Sequence, residues 1–371
     1  MIPFVDLKAQ YKSIKNEIDS AIAEVLTHTQ FIQGEQVQEF EKTFASYNNS
    51  TYCIGLNSGT DALILGVRAL GLESGEVLVA ANTYFSGALA VSENGLKPVF
   101  VDIDSSDYGI SLDDLRKKVT SRTRAIILTH LYGQPDKINE VLEIIKKSKK
   151  KIHLIEDVAQ AHGATYLDRK VGSYGIFGAF SFYPGKNLGA YGDAGALVTN
   201  DSSVYKNLKL LREYGQEKKY FHKILGVNSR LDTIQAAVLN VKLKHLDSWN
   251  KKRREHALTY SKLINEHVPV LEIPKEFANR KSVYHLYVIR TNKRDKLLNY
   301  LRKNDILAQI HYPIPLHLQK GYKFLGYKKG DLPIVEEISS EILSLPMYPE
   351  LKRINIEFVV GSLKKFFELH G

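Results

Sequence analysis

The chain has 371 residues, 44% of them hydrophobic and 25% charged, with a formal net charge of +10. That length exceeds what a single core serves, so two packed domains are expected, and the composition is that of an ordinary soluble globular protein rather than a disordered or membrane-embedded one. The one cysteine, Cys53, excludes an internal disulfide, and beside Ile54 it reads as core packing rather than a reactive thiol. Met1-Ile2-Pro3-Phe4-Val5-Asp6 shows no basic segment leading into an apolar one, and no apolar run approaches membrane-spanning length. A cytoplasmic protein with no membrane partner is the expectation.

In chain order, residues 56–63 read as a strand end, a small-residue turn and a helix start. Apolar runs at 77–80, 98–101, 125–129 and 152–155 then alternate with helical stretches such as 136–147, where Ile138, Val141, Leu142 and Ile145 recur at spacings of three and four. This alternation predicts an α/β fold with a largely parallel sheet covered on both faces. Leu231, Ile234, Val238, Val241 and His245 mark a long helix leading out of that layer. After Trp249 a charge-rich stretch precedes a strand-like 283–290, a helical 293–303 and a loop at 309–315, together read as a smaller α+β domain that closes a cleft. The expected division is 1–250 for the large domain and 251–371 for the small one. The basic residues cluster mainly at 146–151 and 251–254, both read as solvated helix ends. No nucleic-acid-reading motif accompanies them, so nucleic acid is set aside as a partner; a polyanionic small substrate accounts for a positive cleft equally well.

Two motifs carry chemistry. Asp157 follows the apolar His153-Leu154-Ile155 and so falls at the carboxyl end of a strand, where open α/β sheets bind ligands. About thirty residues on, Ser181-Phe182-Tyr183-Pro184-Gly185-Lys186 ends in a lysine. A strand-end carboxylate and a loop lysine are what a protein needs to hold pyridoxal phosphate (PLP) as a Schiff base. The carboxylate keeps the pyridine nitrogen protonated, and the lysine reaches the aldehyde carbon as a neutral amine and shuttles a proton. A buried cofactor cation beside the Pro-Gly turn is expected to lower the pKa of Lys186. Against this stands the plain alternative that a lysine among 51 Lys and Arg is a solvated surface residue.

Three further features bear on that choice. The amides of Gly59 and Thr60 at a helix N-terminus, with the hydroxyls of Thr60 and Ser181, could cradle a phosphate, although an ordinary N-cap reads the same. Tyr84, just after the apolar run at 77–80, could stack on the pyridine or simply pack. Gln160, three residues after Asp157, could contact the ring hydroxyl. His162 either orients Asp157 or is a hydrogen-bonded core histidine. No metal-ligand set is assigned.

Asn57-Ser58-Gly59-Thr60, Tyr84, Glu156-Asp157-x-x-Gln160-x-His162-Gly163 and Ser181-Phe182-x-x-x-Lys186, with the opening Ile2-Pro3-Phe4-Val5-Asp6-Leu7 and residues 226–232, resemble the DegT/DnrJ/EryC1/StrS sugar aminotransferases across essentially the whole chain. The resemblance implies PLP fold type I, aspartate aminotransferase-like, with a mixed, largely parallel sheet. It implies Lys186 as the Schiff-base lysine, Asp157 as partner of the pyridine nitrogen, and Gln160 beside the ring hydroxyl. Gly59, Thr60 and Ser181 would lie at the phosphate and Tyr84 on the ring. Asn228 would reach the phosphate from the other subunit, which implies a homodimer. One departure is Gly192-Asp193-Ala194-Gly195-Ala196, where the family often reads Gly-Glu-Gly-Gly. Retention of lysine, where some dehydrating relatives carry histidine, favours amino transfer.

For the substrate, Lys218-Lys219-Tyr220-Phe221-His222 suits a pyrophosphate or is an unremarkable basic loop. His311 and Tyr312, in a segment stiffened by Pro313 and Pro315, offer groups for hexose hydroxyls, and Tyr183 either nears the reacting carbon or packs in the core. The pattern Lys219 to Asp232, with His311-Tyr312-Pro313, resembles the branch that transfers the amino group of glutamate to C3 of a dTDP-3-keto-6-deoxyhexose; such sugars decorate bacterial surface glycans or antibiotics, and a Lys-rich chain leans toward the first, such as lipopolysaccharide O-antigen. The alternatives are C4 amination of a dTDP- or UDP-linked 4-ketosugar, or a silent paralogue that binds PLP or a sugar nucleotide.

Overall fold

The computed structural model describes residues 1–370. A seven-stranded sheet organises the chain. Its strands are Tyr52–Leu56 (β1), Glu76–Ala80 (β2), Lys97–Val101 (β3), Thr123–Thr129 (β4), His153–Asp157 (β5), Phe177–Ser181 (β6) and Gly195–Thr199 (β7). They lie in the order β1-β7-β6-β5-β4-β2-β3. Strand β7 runs against both neighbours, and the pairs from β6 to β3 are all parallel. This is the mixed, largely parallel sheet expected of the fold, with its reversed strand at β7. Every residue of β2 and β7 is buried, so neither shows the alternation of a half-exposed strand.

Helices Glu35–Tyr47, Gly59–Ala69, Ser86–Ser92 and Ile138–Lys147 cover the sheet. In the last, Ile138, Val141 and Ile144 are the buried residues. The long helix Thr233–His267 runs unbroken past residue 250. Its first half packs Ala236, Leu239 and Leu246 into the core around the sheet; its second half packs Ala257, Tyr260 and Ile264 into a second core. That second core is built on the antiparallel pair Tyr287–Arg290 (β8) and Ile342–Leu345 (β9), with helices Arg294–Lys303 and Arg353–His370, and it also takes in Ile2. Among the described residues no helix is long and apolar enough to cross a membrane.

Two local expectations differ from the structure. Residues 283–286 are not strand, because their amides turn to the large part: Val283 N–H donates to Gly133 O at 2.9 Å and Leu286 N–H to Tyr132 O at 3.2 Å. The basic run 251–254 is not a helix end but the middle of Thr233–His267, and Arg253 in it is buried, donating to Tyr284 O (3.2 Å) and Met347 O (3.0 Å). The run looks solvated only in a linear reading; on the helix, one of its members faces inward toward three backbone carbonyls, the third being His285 O.

Candidate active site

Parallel pairing places Thr129 opposite Asp157 and Asp157 opposite Ala179, so the carboxyl ends of β4, β5 and β6 open at one place. Asp157 ends β5 and is 5% exposed. Burial pushes its carboxyl above the ordinary range. The Ala159 N–H at 3.1 Å, the Lys186 charge, His130 and Thr129 pull in the opposite direction. The preceding residue, Glu156, points to the other side of the strand and is fully buried. It accepts from the amides of Gly172, Tyr174 and Gly175 at 2.6–2.7 Å and from His130 Nε2 at 3.0 Å. Because Asp136 N–H donates to His130 Nδ1, the proton of that ring sits on Nε2. One strand end therefore carries a fully satisfied structural carboxylate beside a second whose burial is only partly compensated.

Lys186 follows β6 in a tight loop: its own N–H donates to Tyr183 O at 2.8 Å, and Ala190 N–H donates to Phe182 O at 2.8 Å. Gly189 closes the loop, since a Cβ there would lie 2.3 Å from Pro184 O. Burial lowers the pKa of Lys186 to about 8, against the opposing pull of Asp157. The amine is therefore much closer to its neutral form at physiological pH than a solvated lysine would be.

The turn at 57–60 is an N-cap whose first-turn amides stay open to an anion. Ser58 caps the helix by accepting Asp61 N–H at 3.0 Å. That leaves the first-turn amides of Gly59 and Thr60 without intrahelical acceptors. Thr60 Oγ1 lies 2.8 Å from Ser86 Oγ. A Cβ on Gly59 would come within 2.4 Å of Ser181 Cβ and 2.8 Å of Ser181 Cα, so glycine is what lets the helix start meet the end of β6. Gly195, in the stretch that departs from the family pattern, is also required, because a Cβ there would strike the Ser58 carbonyl.

Around the opening, the Gln160 amide is committed at both ends. Its Oε1 accepts Tyr132 N–H at 2.7 Å, and its Nε2 donates to Tyr312 OH at 3.0 Å. Tyr84 is 60% exposed, its ring 5.7 Å from that of Tyr312. Tyr183 is also 60% exposed and is not a core tyrosine. His311 is stacked on Phe4 with Nδ1 2.9 Å from Ser344 Oγ, and burial together with the Lys186 charge lowers its pKa to about 4. His162 donates from Nε2 to Ser181 O at 2.9 Å, so its interaction is with the end of β6, and burial lowers its pKa to about 3. Lys219, Tyr220, His222 and Asn228 form a separate exposed group on and beside the hairpin 216–222. There His222 Nδ1 meets Tyr214 O at 2.9 Å, and Asn228 bridges to Glu213. His285, Asn187, Asn250 and His130 are missing from the sequence-derived set. His285 lies about a hundred residues beyond Lys186 with no motif around it, and Asn187 was passed over beside the lysine itself.

Residues 12–364 match the DegT/DnrJ/EryC1/StrS aminotransferase family. The chain belongs to this family. A dTDP-3-amino-3,6-dideoxy-alpha-D-galactopyranose transaminase of Aneurinibacillus thermoaerophilus is 44% identical over 99% of each chain. A pleiotropic regulatory protein of Geobacillus stearothermophilus is 42% identical over 99% of this chain and 98% of its own. Among solved structures, S. venezuelae DesV in complex with a ketimine intermediate superposes with a TM-score of 0.95 at 40% identity over 98% of each chain.

This protein is a PLP-dependent aminotransferase. The residues on hand suit that cofactor. Two unengaged helix amides and two hydroxyls meet a phosphate's needs, a buried carboxylate with few donors suits a protonated ring nitrogen, and a lysine of lowered pKa suits an aldehyde.

Proposed function

We propose that this enzyme transfers the amino group of glutamate to C3 of a dTDP-3-keto-6-deoxyhexose, giving a dTDP-3-amino-3,6-dideoxyhexose for a surface glycan. The observation that carries the transfer chemistry is the Lys186 amine of lowered pKa within electrostatic reach of buried Asp157. The nucleotide sugar rests on the Aneurinibacillus relative, whose likeness spans the whole chain.

Bound at Lys186, PLP supplies an electron sink that makes a proton on the adjoining carbon labile. The chain's own part is then assigned residue by residue. Asp157 holds its negative charge against the ring nitrogen, and Gln160, locked by Tyr132 and Tyr312, borders the ring hydroxyl. Gly59, Thr60 and Ser181 receive the phosphate, and Tyr84 covers the ring face. Lys186 takes the α proton of glutamate and, in the second half-reaction, delivers a proton to sugar C3 from one side, which sets the stereochemistry. Tyr183, His311 and Tyr312 border the sugar. Lys219, Tyr220, His222 and Asn228 act across a homodimer interface, where cations meet the pyrophosphate and Asn228 the cofactor phosphate. The exposure of Tyr220 (79%), Phe221 (67%) and Leu225 (93%) on that segment supports a covering neighbour. The enzyme is placed in the cytoplasm, without nucleic-acid or membrane partners, with domains at 1–250 and 251–371 joined through the long helix.

Gly59→Ala is expected to weaken PLP affinity about tenfold or more, because its methyl must displace backbone at Ser181. Titrating apoprotein with PLP and following the absorbance reads this directly, and unchanged affinity would remove the cradle from this turn. The test of function is a visible absorbance scan of the purified protein, before and after glutamate, then with dTDP-3-keto-6-deoxyhexoses of both C4 configurations. Loss of the cofactor band with glutamate and its return with one ketosugar is the expected result. Return only with a 4-ketosugar would overturn the C3 assignment, and no band with PLP supplied would leave a binding module.

A further inference from the structure

The loop that carries Lys186 is fastened to the long helix Thr233–His267 by three side-chain hydrogen bonds. Gln235 Oε1 accepts Tyr191 N–H at 2.8 Å, and a Cβ on Gly192 would come within 3.1 Å of Gln235 Nε2, so the chain at 191–192 lies against that amide. Two turns further along the same face, Lys242 Nζ donates to Gly189 O at 2.7 Å. Further along again, Asn250 Oδ1 accepts from Asn187 Nδ2 at 2.9 Å, next to Lys186 itself.

Of the three, Lys242 is the one that packing does not explain. Its side chain is fully buried, and what it meets there is the Gly189 carbonyl and the face of the Tyr191 ring, 4.1 Å from the centroid. Burial lowers its pKa to about 7, against the pull of Glu350. A methionine at this place would bury a similar apolar stem without taking an amine out of water. The amine donates whether charged or neutral, so the bond to Gly189 does not depend on its protonation.

The carbonyl it holds belongs to the tightest part of the loop. Gly189 lies so close to Pro184 that no Cβ fits, while the N–H groups of Lys186, Ala190 and Phe182 are tied to Tyr183 O, Phe182 O and Ala194 O. Those bonds set the shape of the loop. The contacts from Gln235 and Lys242 set where its far end rests, beyond the point at which the Lys186 side chain departs.

We propose that Lys242 and Gln235 are positioning residues that clamp residues 189–191 to the long helix and so fix the backbone from which the Lys186 side chain extends. The clamp needs no cofactor; its effect on amino transfer rests on Lys186 being the cofactor lysine.

The deciding measurement is therefore hydrogen exchange of the apoprotein, read by mass spectrometry on peptides covering 183–191 and, for reference, β5. Lys242→Met keeps the apolar stem and has no donor. It is expected to speed exchange in the loop about tenfold, the equivalent of one lost hydrogen bond, and to leave β5 unchanged. In the loaded enzyme the single-turnover rate at saturating glutamate is expected to fall about tenfold or more, with the glutamate concentration for half-maximal rate unchanged, because a displaced amine impairs proton transfer and not binding. Equal loop exchange in parent and Lys242→Met would overturn the proposal, as would an acceleration shared equally by β5. Should Lys242→Met fail to fold, Gln235→Leu is compared with Gln235→Glu, whose carboxylate still accepts Tyr191 N–H. Faster loop exchange in Gln235→Leu alone is expected, and equal exchange in the two overturns the clamp. A parent that takes up no PLP would undo the cofactor role of Lys186 and leave the exchange result in force.

Discussion

Lys186→Ala is expected to abolish turnover while leaving a folded protein that still takes up PLP without a covalent link. No other group in the opening combines a neutral amine with the reach to move a proton between two carbons on one face. Mass spectrometry after borohydride treatment, together with a donor half-reaction assay, checks both points, and measurable amino transfer by the variant would sink the lysine assignment. A second consequence is thermodynamic. Burial lowers the pKa of Lys186 from its ordinary 10.5 to about 8, against the pull of Asp157. The native state therefore binds fewer protons than the unfolded chain between those values. The lysine penalises folding below about pH 8, and the penalty fades as the pH rises toward 10.5. Lys186→Ala apoprotein should melt above parent apoprotein at pH 7, with the difference narrowing above pH 8; identical melting across that range would show that the amine is not desolvated.

Asp157→Asn is expected to leave PLP bound and to lower the rate by about 10²–10⁴-fold, the range by which positioned charge and proton control matter in such sites. Asparagine keeps the shape, and its oxygen can still accept the Ala159 amide. It cannot hold a full negative charge against the ring nitrogen, so the electron sink weakens while the phosphate contacts proposed for Gly59, Thr60 and Ser181 are untouched. Burial already pushes the Asp157 carboxyl upward against the Ala159 amide and the charges of Lys186 and His130, so a protonated ring nitrogen beside it would hold it ionised. Single-turnover rates with glutamate separate this loss from any loss of affinity. An undiminished rate would move the essential carboxylate elsewhere.

Much of this was legible in the chain because the chemistry is local in sequence. Asp157 and Gln160 are three residues apart on one strand end, and the loop from Ser181 to Lys186 is a single turn, so their types and spacing announce a cofactor. The parallel strands were legible because burial on both faces makes continuous apolar runs. What escaped depends on distance. Residues 283–286 are held against the large part by Gly133 and Arg253, and His285 Nδ1 lies 3.1 Å from Asn187 Oδ1, whose own amide nitrogen meets Asn250 sixty-three residues on. Arg253 was misread because a run of charge looks solvated until the helix phase turns one member inward. Glu156, beside the reactive carboxylate, looked like part of a motif and is instead the anchor of the 172–175 turn.

The unbroken helix Thr233–His267 has a bearing on how the molecule comes apart. It contributes buried side chains to both hydrophobic clusters, so neither can melt and leave the other with an intact wall. Calorimetry should register one shared transition, not two in succession. A protease nick near its midpoint, at residue 250, should collapse the whole assembly instead of releasing a stable fragment, so dissection of this enzyme for expression or engineering has no seam there to follow.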